Sequence, residues 1–428
     1  MALDLTEIAR SSPPIERRVL GNGTVIVHQA SPANQIVAIK VLAPIGSVQE
    51  PAELAGLANL SIRLLPTGTS RHTEHEISLA LEANGAHFSA EAGKDASTVF
   101  LLSTQAGFAE DFEVLLDLLC DPVFPDKPLA RDREVVQMMI REEDDSPFNF
   151  TYRLFREFLF GSHPYGWPSL GLEETVARVQ REHVVDFSLR QRRPESLIVI
   201  LVGGDERSSI VDSVAEQFLK LPPLCGEALL QPPAAPDEPA NHGVREEHRE
   251  GEAEWIVSGT FAPDFNSEDF APFRVLDSVL AGSMDSRLFV ELREKRGLVY
   301  QVGSQYTPHF RCGVYALYAV STPENRPEIL RLLENECERL KEEPVGEDEL
   351  ERAKRYLIGR QIMGLESNSG RASALGIYEL SGQGAERVCE YPQRIARVTA
   401  PDIRRVAQCY LNRFVATITT PRLPDIQS

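Results

Sequence analysis

Nine histidines and six cysteines are the side chains of this 428-residue chain best suited to hold a metal or act as a nucleophile, so their spacing is read first. The densest cluster is Arg71-His72-Thr73-Glu74-His75-Glu76. Its two imidazoles are at i and i+3, whereas the HExxH and HxxEH zinc helices need i and i+4 with a carboxylate fixed between them. The segment fits neither pattern and is read as a solvated turn at a helix start. His87, His163, His183 and His309 each stand alone. Cys120, Cys225, Cys312, Cys337, Cys389 and Cys409 form no CxxC pair, so neither a disulfide framework nor a thiolate zinc site is expected. No GxSxG elbow, phosphate loop or GxGxxG is present, and Gly203-Gly204-Asp205 after a strand is too short to serve as one.

Charge narrows the ligands. With 44 basic and 64 acidic residues the net charge is -20, and the sequence pI is near 5.0. Such a surface is repelled by nucleic acid and by anionic membrane faces. No stretch reaches the roughly 18 apolar residues of a spanning helix, and the first residues, MALDLTEIARSSPPIERR, lack the apolar core of a signal peptide. A cytoplasmic protein is the expectation.

The elements that must position any site repeat along the chain. Residues 221–243, LPPLCGEALLQPPAAPDEPANHG, carry six prolines, which interrupt helix and sheet, and are read as a linker between lobes 1–220 and 244–428. In the first lobe a buried strand (36–44) precedes an apolar-periodic helix (51–65); in the second, 255–263 precedes 267–282. Helix, glycine stop, strand, strand and helix follow in both, with Gly297 matching Gly85, and a long amphipathic helix closes each unit at 128–145 and 347–364. The expected fold is α+β: two homologous lobes, each an antiparallel sheet with helices packed on one side.

The order of elements, with GLAN…LLPTGTS (56–70), LEANGAHFSAEAGKDASTVFL (81–101), DPVFPDKPLARDREVV (121–136), HPYGWPSLGLEETV (163–176), RPESLIVILVGG (193–204) and DSRLFVELREKRGLVYQVGS (285–304), resembles the pitrilysin and mitochondrial processing peptidase family of inverzincin metallopeptidases over essentially the whole chain. The resemblance implies a zinc helix bearing HxxEH between Gly56-x-Ala58 and Gly68-Thr69. The five matching residues here are Asn59-Leu60-Ser61-Ile62-Arg63. An amide is a poor zinc ligand, Ile62 cannot take a proton from water, and a guanidinium about 4 Å from a divalent cation costs on the order of 8 kcal/mol at an effective dielectric of 20. The third ligand, a glutamate on the long helix, falls by alignment on Met138, with Met139 following. No metal is therefore expected in this chain. Asn59 and Arg63 read instead as an i, i+4 polar pair, and the methionines as helix-filling apolar residues.

The second lobe keeps the family's Arg…Tyr pattern as Arg293 and Tyr300. Ser283 or Asp285 can cap the helix DSRLFVELREK, Gly297 breaks it, and Tyr300 opens the next strand. In active relatives this pair resembles a clamp that donates hydrogen bonds to the developing oxyanion. The alternative is an Arg293 ion pair with Glu291 or Glu294 and an ordinary strand tyrosine. A lobe without zinc beside a lobe with the clamp implies a divided site: a non-catalytic subunit of a heterodimeric zinc peptidase, acting in trans with a homologous zinc-bearing partner on peptide or unfolded substrates. The other reading is a processing-peptidase-like scaffold with no role in proteolysis. The segment 280–288 has only Gly282 where the organellar α subunit carries a glycine-rich loop, which counts against presequence-type recognition.

Overall fold

A computed structural model describes residues 13–204, 209–222 and 234–422; Cys225 and residues 223–233 of the expected linker lie outside the described residues. Eleven strands are described: β1 Ile15–Val19, β2 Val25–Gln29, β3 Ile36–Ala43, β4 His87–Ala92, β5 Ser97–Thr104, β6 Ile198–Val202, β7 Gly243–Arg249, β8 Glu254–Ala262, β9 Gln301–Pro308, β10 Gly313–Ser321 and β11 Val415–Pro421. The helices that frame the sites are α1 Leu57–Arg63, α2 Glu74–Ala83, α3 Phe108–Cys120, α4 Asp126–Asp145, α5 Pro147–Phe160, α6 Arg181–Gln191, α7 Phe270–Leu280, α8 Arg326–Glu342, α9 Glu347–Gly364, α10 Asn368–Leu380 and α11 Ala400–Tyr410.

Two sheets result, ordered β1-β2-β6-β3-β5-β4 and β7-β11-β8-β10-β9. Neighbours run antiparallel except β2 with β6 and β7 with β11, one parallel pair in each sheet. In the first sheet strand alternation sends Val37, Ile39 and Val41 of β3 into one apolar cluster with Leu57, Leu60 and Ile62 of α1, Leu115 of α3, Val136 of α4 and Phe187 of α6. The intervening residues face the other way. There Leu42 and Ile200 meet α10, where a Cβ built on Gly376 would stand 3.2 Å from Leu42. Asn368, at the start of α10, ties it to this sheet through Ser31 (2.8 Å) and the carbonyl of Ile36 (2.7 Å).

The second sheet is built the same way. Phe273 of α7 packs on Tyr306 and Tyr315, at ring separations of 4.9 and 5.1 Å, while on the opposite face Phe148 and Phe160 of α5 meet Trp255 and Phe261. A Cβ on Gly259 would approach the Phe155 ring to 2.6 Å, so glycine at this β8 position lets α5 seat. Each sheet thus carries, on the face away from its main helices, one helix supplied by the other half of the chain. The compact units accordingly differ from a single cut at 221–243. One holds the described residues up to Arg141, those from Pro168 through 222, and Ile362–Glu390; the other holds Glu142–Trp167, Ala234–Gln361 and the described residues from Tyr391 on.

The helix expected over 51–65 is broken. Ala52–Leu54 and Leu65–Thr67 are 3₁₀ turns flanking α1, because Gly56 adopts φ +99°, where a side chain would strike the carbonyl of Leu170 at 2.4 Å, and Pro66 follows the helix.

Candidate functional site

The short helix α1 begins with help from a buried acid. Glu50 accepts hydrogen bonds from the backbone N–H groups of Gly56 (2.9 Å) and Ala58 (2.6 Å), satisfying donors that a helix start leaves open. Burial dominates its titration and raises its pKa to about 7, against the pull of those hydrogen bonds and of Lys94. No periodicity marks Glu50 in the sequence, so this support was not legible there.

On α1, Ile62 turns into the apolar cluster and is 3% exposed. Arg63 reaches Asp132 of α4, its Nη2 3.9 Å from Oδ1, and Asp132 in turn accepts from Arg131, which clasps Glu74 with two bonds of 3.0 and 2.8 Å. Buried Asn59 Oδ1 and Arg63 Nε have no hydrogen-bond partner. The positions matching a zinc helix therefore hold a guanidinium directed at a carboxylate and an amide, a donor set that does not fit a divalent cation. Among the described residues no group of three or more His, Cys, Asp or Glu is placed to hold a metal ion.

Met138 is turned away from this site, being 64% exposed. Helical spacing gives the reason: Asp132 faces Arg63, and the next residues on that face are Val136 and Met139, at i+4 and i+7. Met139 packs against the apolar cluster, so of the two methionines it is the one on the inward face of α4, while the expected position, Met138, lies in solvent. The histidine cluster does not converge. His72 Nδ1 lies 3.0 Å from Asp117, which also accepts from Thr69 at 2.6 Å, pinning the Gly68-Thr69 turn, while Thr73 caps α2 with Glu76.

Arg293 does not sit on an ordinary α-helix. Phe289–Lys295 winds as a π-helical turn, a geometry frequent at functional sites, anchored by fully buried Leu292. Leu298 N–H donates to the Leu292 carbonyl (2.9 Å) across Gly297, whose φ of +62° matches the +66° of Gly85. Tyr300 N–H then donates to Val320 (2.8 Å), starting the pairing of β9 with β10. Below it, Ser304 donates to buried Asp277 of α7 (2.5 Å), fixing β9 to its sheet's helices.

The ion pair that would have neutralised Arg293 is not formed. Glu291 is taken by Lys295 (3.0 Å) and Arg296 (2.9 Å), and Arg296 also reaches Glu328 at 2.9 Å. Arg293 lies over the Phe289 ring, 5.2 Å from its centroid, and makes no ion pair among the described residues. Tyr300 is 65% exposed. The two side chains flank one glycine break, each with unspent donor capacity, and no hydrogen bond joins them.

Comparison with known proteins agrees with this architecture. The family model described as insulinase (peptidase family M16) matches residues 25–166, and that described as peptidase M16 inactive domain matches 178–357. An uncharacterized zinc protease of Streptomyces coelicolor is 28% identical over 422 residues, covering 97% of this chain and 91% of the relative. The uncharacterized zinc protease YmxG of Bacillus subtilis is 27% identical over 368 residues, covering 86% and 88%. Among solved structures, an M16 inactive domain from Pseudomonas fluorescens superposes with a TM-score of 0.88 at 22% identity, covering 96% of this chain and 98% of that one. A protease from Helicobacter pylori gives 0.87 at 23% identity, covering 96% and 100%. With two family models in tandem and full-length relatives, the chain belongs to the M16, insulinase-type, peptidase family.

Proposed function

We propose that this chain is the zinc-free, non-catalytic subunit of a heterodimeric zinc peptidase, lending Arg293 and Tyr300 to a homologous partner that carries HxxEH and the metal. The observation that carries the reading is a contrast within one molecule. The zinc positions have been rebuilt around the Arg63–Asp132 pair, while Arg293 and Tyr300 stay exposed and uncommitted beside a π turn. An exposed tyrosine and an unpaired arginine at one sheet edge contribute little to stability, so their use lies outside the fold. Arg293 would present two N–H donors in a fixed plane and Tyr300 one O–H, which suits a peptide carbonyl oxygen gaining negative charge. The partner's zinc would supply the nucleophilic water. This chain would hold and polarise the peptide and form half of its chamber, in a cytoplasmic setting.

The test is reconstitution. The purified chain and an HxxEH-bearing M16 chain from the same organism are assayed for peptide hydrolysis separately and mixed, with the mass of the mixture measured by sedimentation. A 1:1 complex with activity absent from either component is expected. Full activity of the zinc chain by itself, or separate sedimentation at micromolar concentrations, would leave the scaffold as the better account.

A further inference from the structure

In the unit that carries Arg293, a polar cleft of about 260 Å3 opens between the end of α7, the following loop and the solvent side of α9. Glu349, Arg352, Ala353 and Tyr356 of α9 line it at helical spacings i, i+3, i+4 and i+7, facing Ser278, Val279, Ser283 and Asp285.

Its acceptors are already used. Both oxygens of Glu349 take Arg287, at 2.8 Å each. Asp285 accepts from Ser283 (2.7 Å) and from Arg352 Nε (3.1 Å), and these bonds, Ser283 first, hold its carboxyl below the usual range, so it stays ionised. Its donors keep capacity to spare. Ser278 is 4% exposed, and its hydroxyl has no partner. Arg355 gives only Nε to the carbonyl of Glu351 (3.2 Å) and pairs with no carboxylate among the described residues. A buried hydroxyl left unpaired is costly, and this one lines a cleft rimmed by two guanidinium groups.

We propose that this cleft binds the carboxylate of a peptide, with Arg352 and Arg355 gripping its oxygens, buried Ser278 donating to it, and exposed Tyr356 lying along the adjacent side chain. Both lining carboxylates are already paired while Arg352 and Arg355 keep free N–H donors, so the cleft suits an anion. Val279 and Ala353, 3% and 6% exposed, give the cleft an apolar floor, which suits an amino-acid residue better than a bare inorganic anion. The choice of a peptide rests on the proposed function; the cleft's demand for an anion does not.

The experiment uses the chain without any partner, so its outcome is separate from that of the activity assay. Fluorescein-labelled Ala-Leu-Ala-Leu-Phe is titrated by anisotropy as the free acid, as the C-terminal amide, and as an amide with one internal Glu. The free acid should bind at least about ten-fold more tightly than the plain amide, and Ser278→Ala and Arg355→Gln should each remove about ten-fold from the acid alone. Tight binding of the Glu-containing amide, equally sensitive to the two substitutions, would assign the site to a side-chain carboxylate and still support it. Equal binding of acid and plain amide, or a preference for the acid that survives both substitutions in chains with unchanged circular dichroism, would overturn the proposal.

Discussion

Whether Met138 or Met139 stands opposite Asn59 and Arg63 can be separated by substitution. Restoring ligand types by Asn59→His with Arg63→His and Met139→Glu places two imidazoles and a carboxylate on facing helices, whereas the same pair of histidines with Met138→Glu leaves the acid in solvent. Competition with a chromophoric chelator should show zinc bound by the first triple variant, none by the native chain, and no three-ligand affinity in the second. Equal zinc affinity in the two triple variants would restore Met138 to the position given by alignment. The sequence exposed the loss of the ligands but not which methionine faces inward, because adjacent residues on a helix differ by about 100° and only the packing of α4 shows it. Glu50 makes a second residue-scale prediction. Its pKa is about 7 in the folded chain, above the ordinary carboxylate range of the unfolded one, so the folded state holds the proton more tightly. This group's contribution to stability therefore falls as pH rises from about 4.5 to 7. Melting temperature against pH should lose that part of its slope in Glu50→Gln; an unchanged slope would mean Glu50 is ionised throughout.

Two glycines show how elements are set and how far they were legible. Gly56 and Gly297 both have positive φ, but their surroundings differ: a Cβ at Gly56 meets the Leu170 carbonyl at 2.4 Å, whereas nothing lies within 4 Å of one at Gly297. Gly297→Ala should cost about 1 kcal/mol, the ordinary penalty of a left-handed residue, while Gly56→Ala should cost roughly 3 kcal/mol or more, since backbone must move. Urea denaturation of both variants measures the difference; similar values would mean the Leu170 contact relaxes freely. Gly297 as a helix stop could be read from its place after a periodic run. The break at Gly56 could not, because the apolar spacing of 51–65 is continuous through it and the obstacle lies more than a hundred residues away. The π turn at Phe289–Lys295 was also hidden, since π and α windings share the same residue preferences over seven positions.

At the scale of the molecule, the repeated order of elements was visible in the sequence because both halves bury the same strand-helix pattern. The exchange of α5 and α10 was not. Each of these helices is amphipathic like its neighbours, and nothing local tells which sheet it will cover. A cut through 221–243 should therefore strand both helices. Fragment 1–220 would lack α10 over Leu42 and Ile200, and fragment 244–428 would lack α5 over Trp255 and Phe261. Expressed alone each fragment should aggregate, and co-expressed they should associate; two monomeric, cooperatively melting fragments would contradict the exchange.

No described helix is long and apolar enough to cross a membrane, and the proposed role of this chain in peptide hydrolysis turns on Arg293 and Tyr300. The most direct measurement is kcat and KM of the reconstituted complex with Tyr300→Phe and with Arg293→Lys, beside a melting curve of each variant. Loss of one oxyanion donor should lower kcat about 10²-fold to 10³-fold with KM and melting temperature nearly unchanged, and a lysine, lacking the planar fork, should not rescue Arg293. Native kcat in both variants would contradict the account and return Arg293 and Tyr300 to the surface of a scaffold.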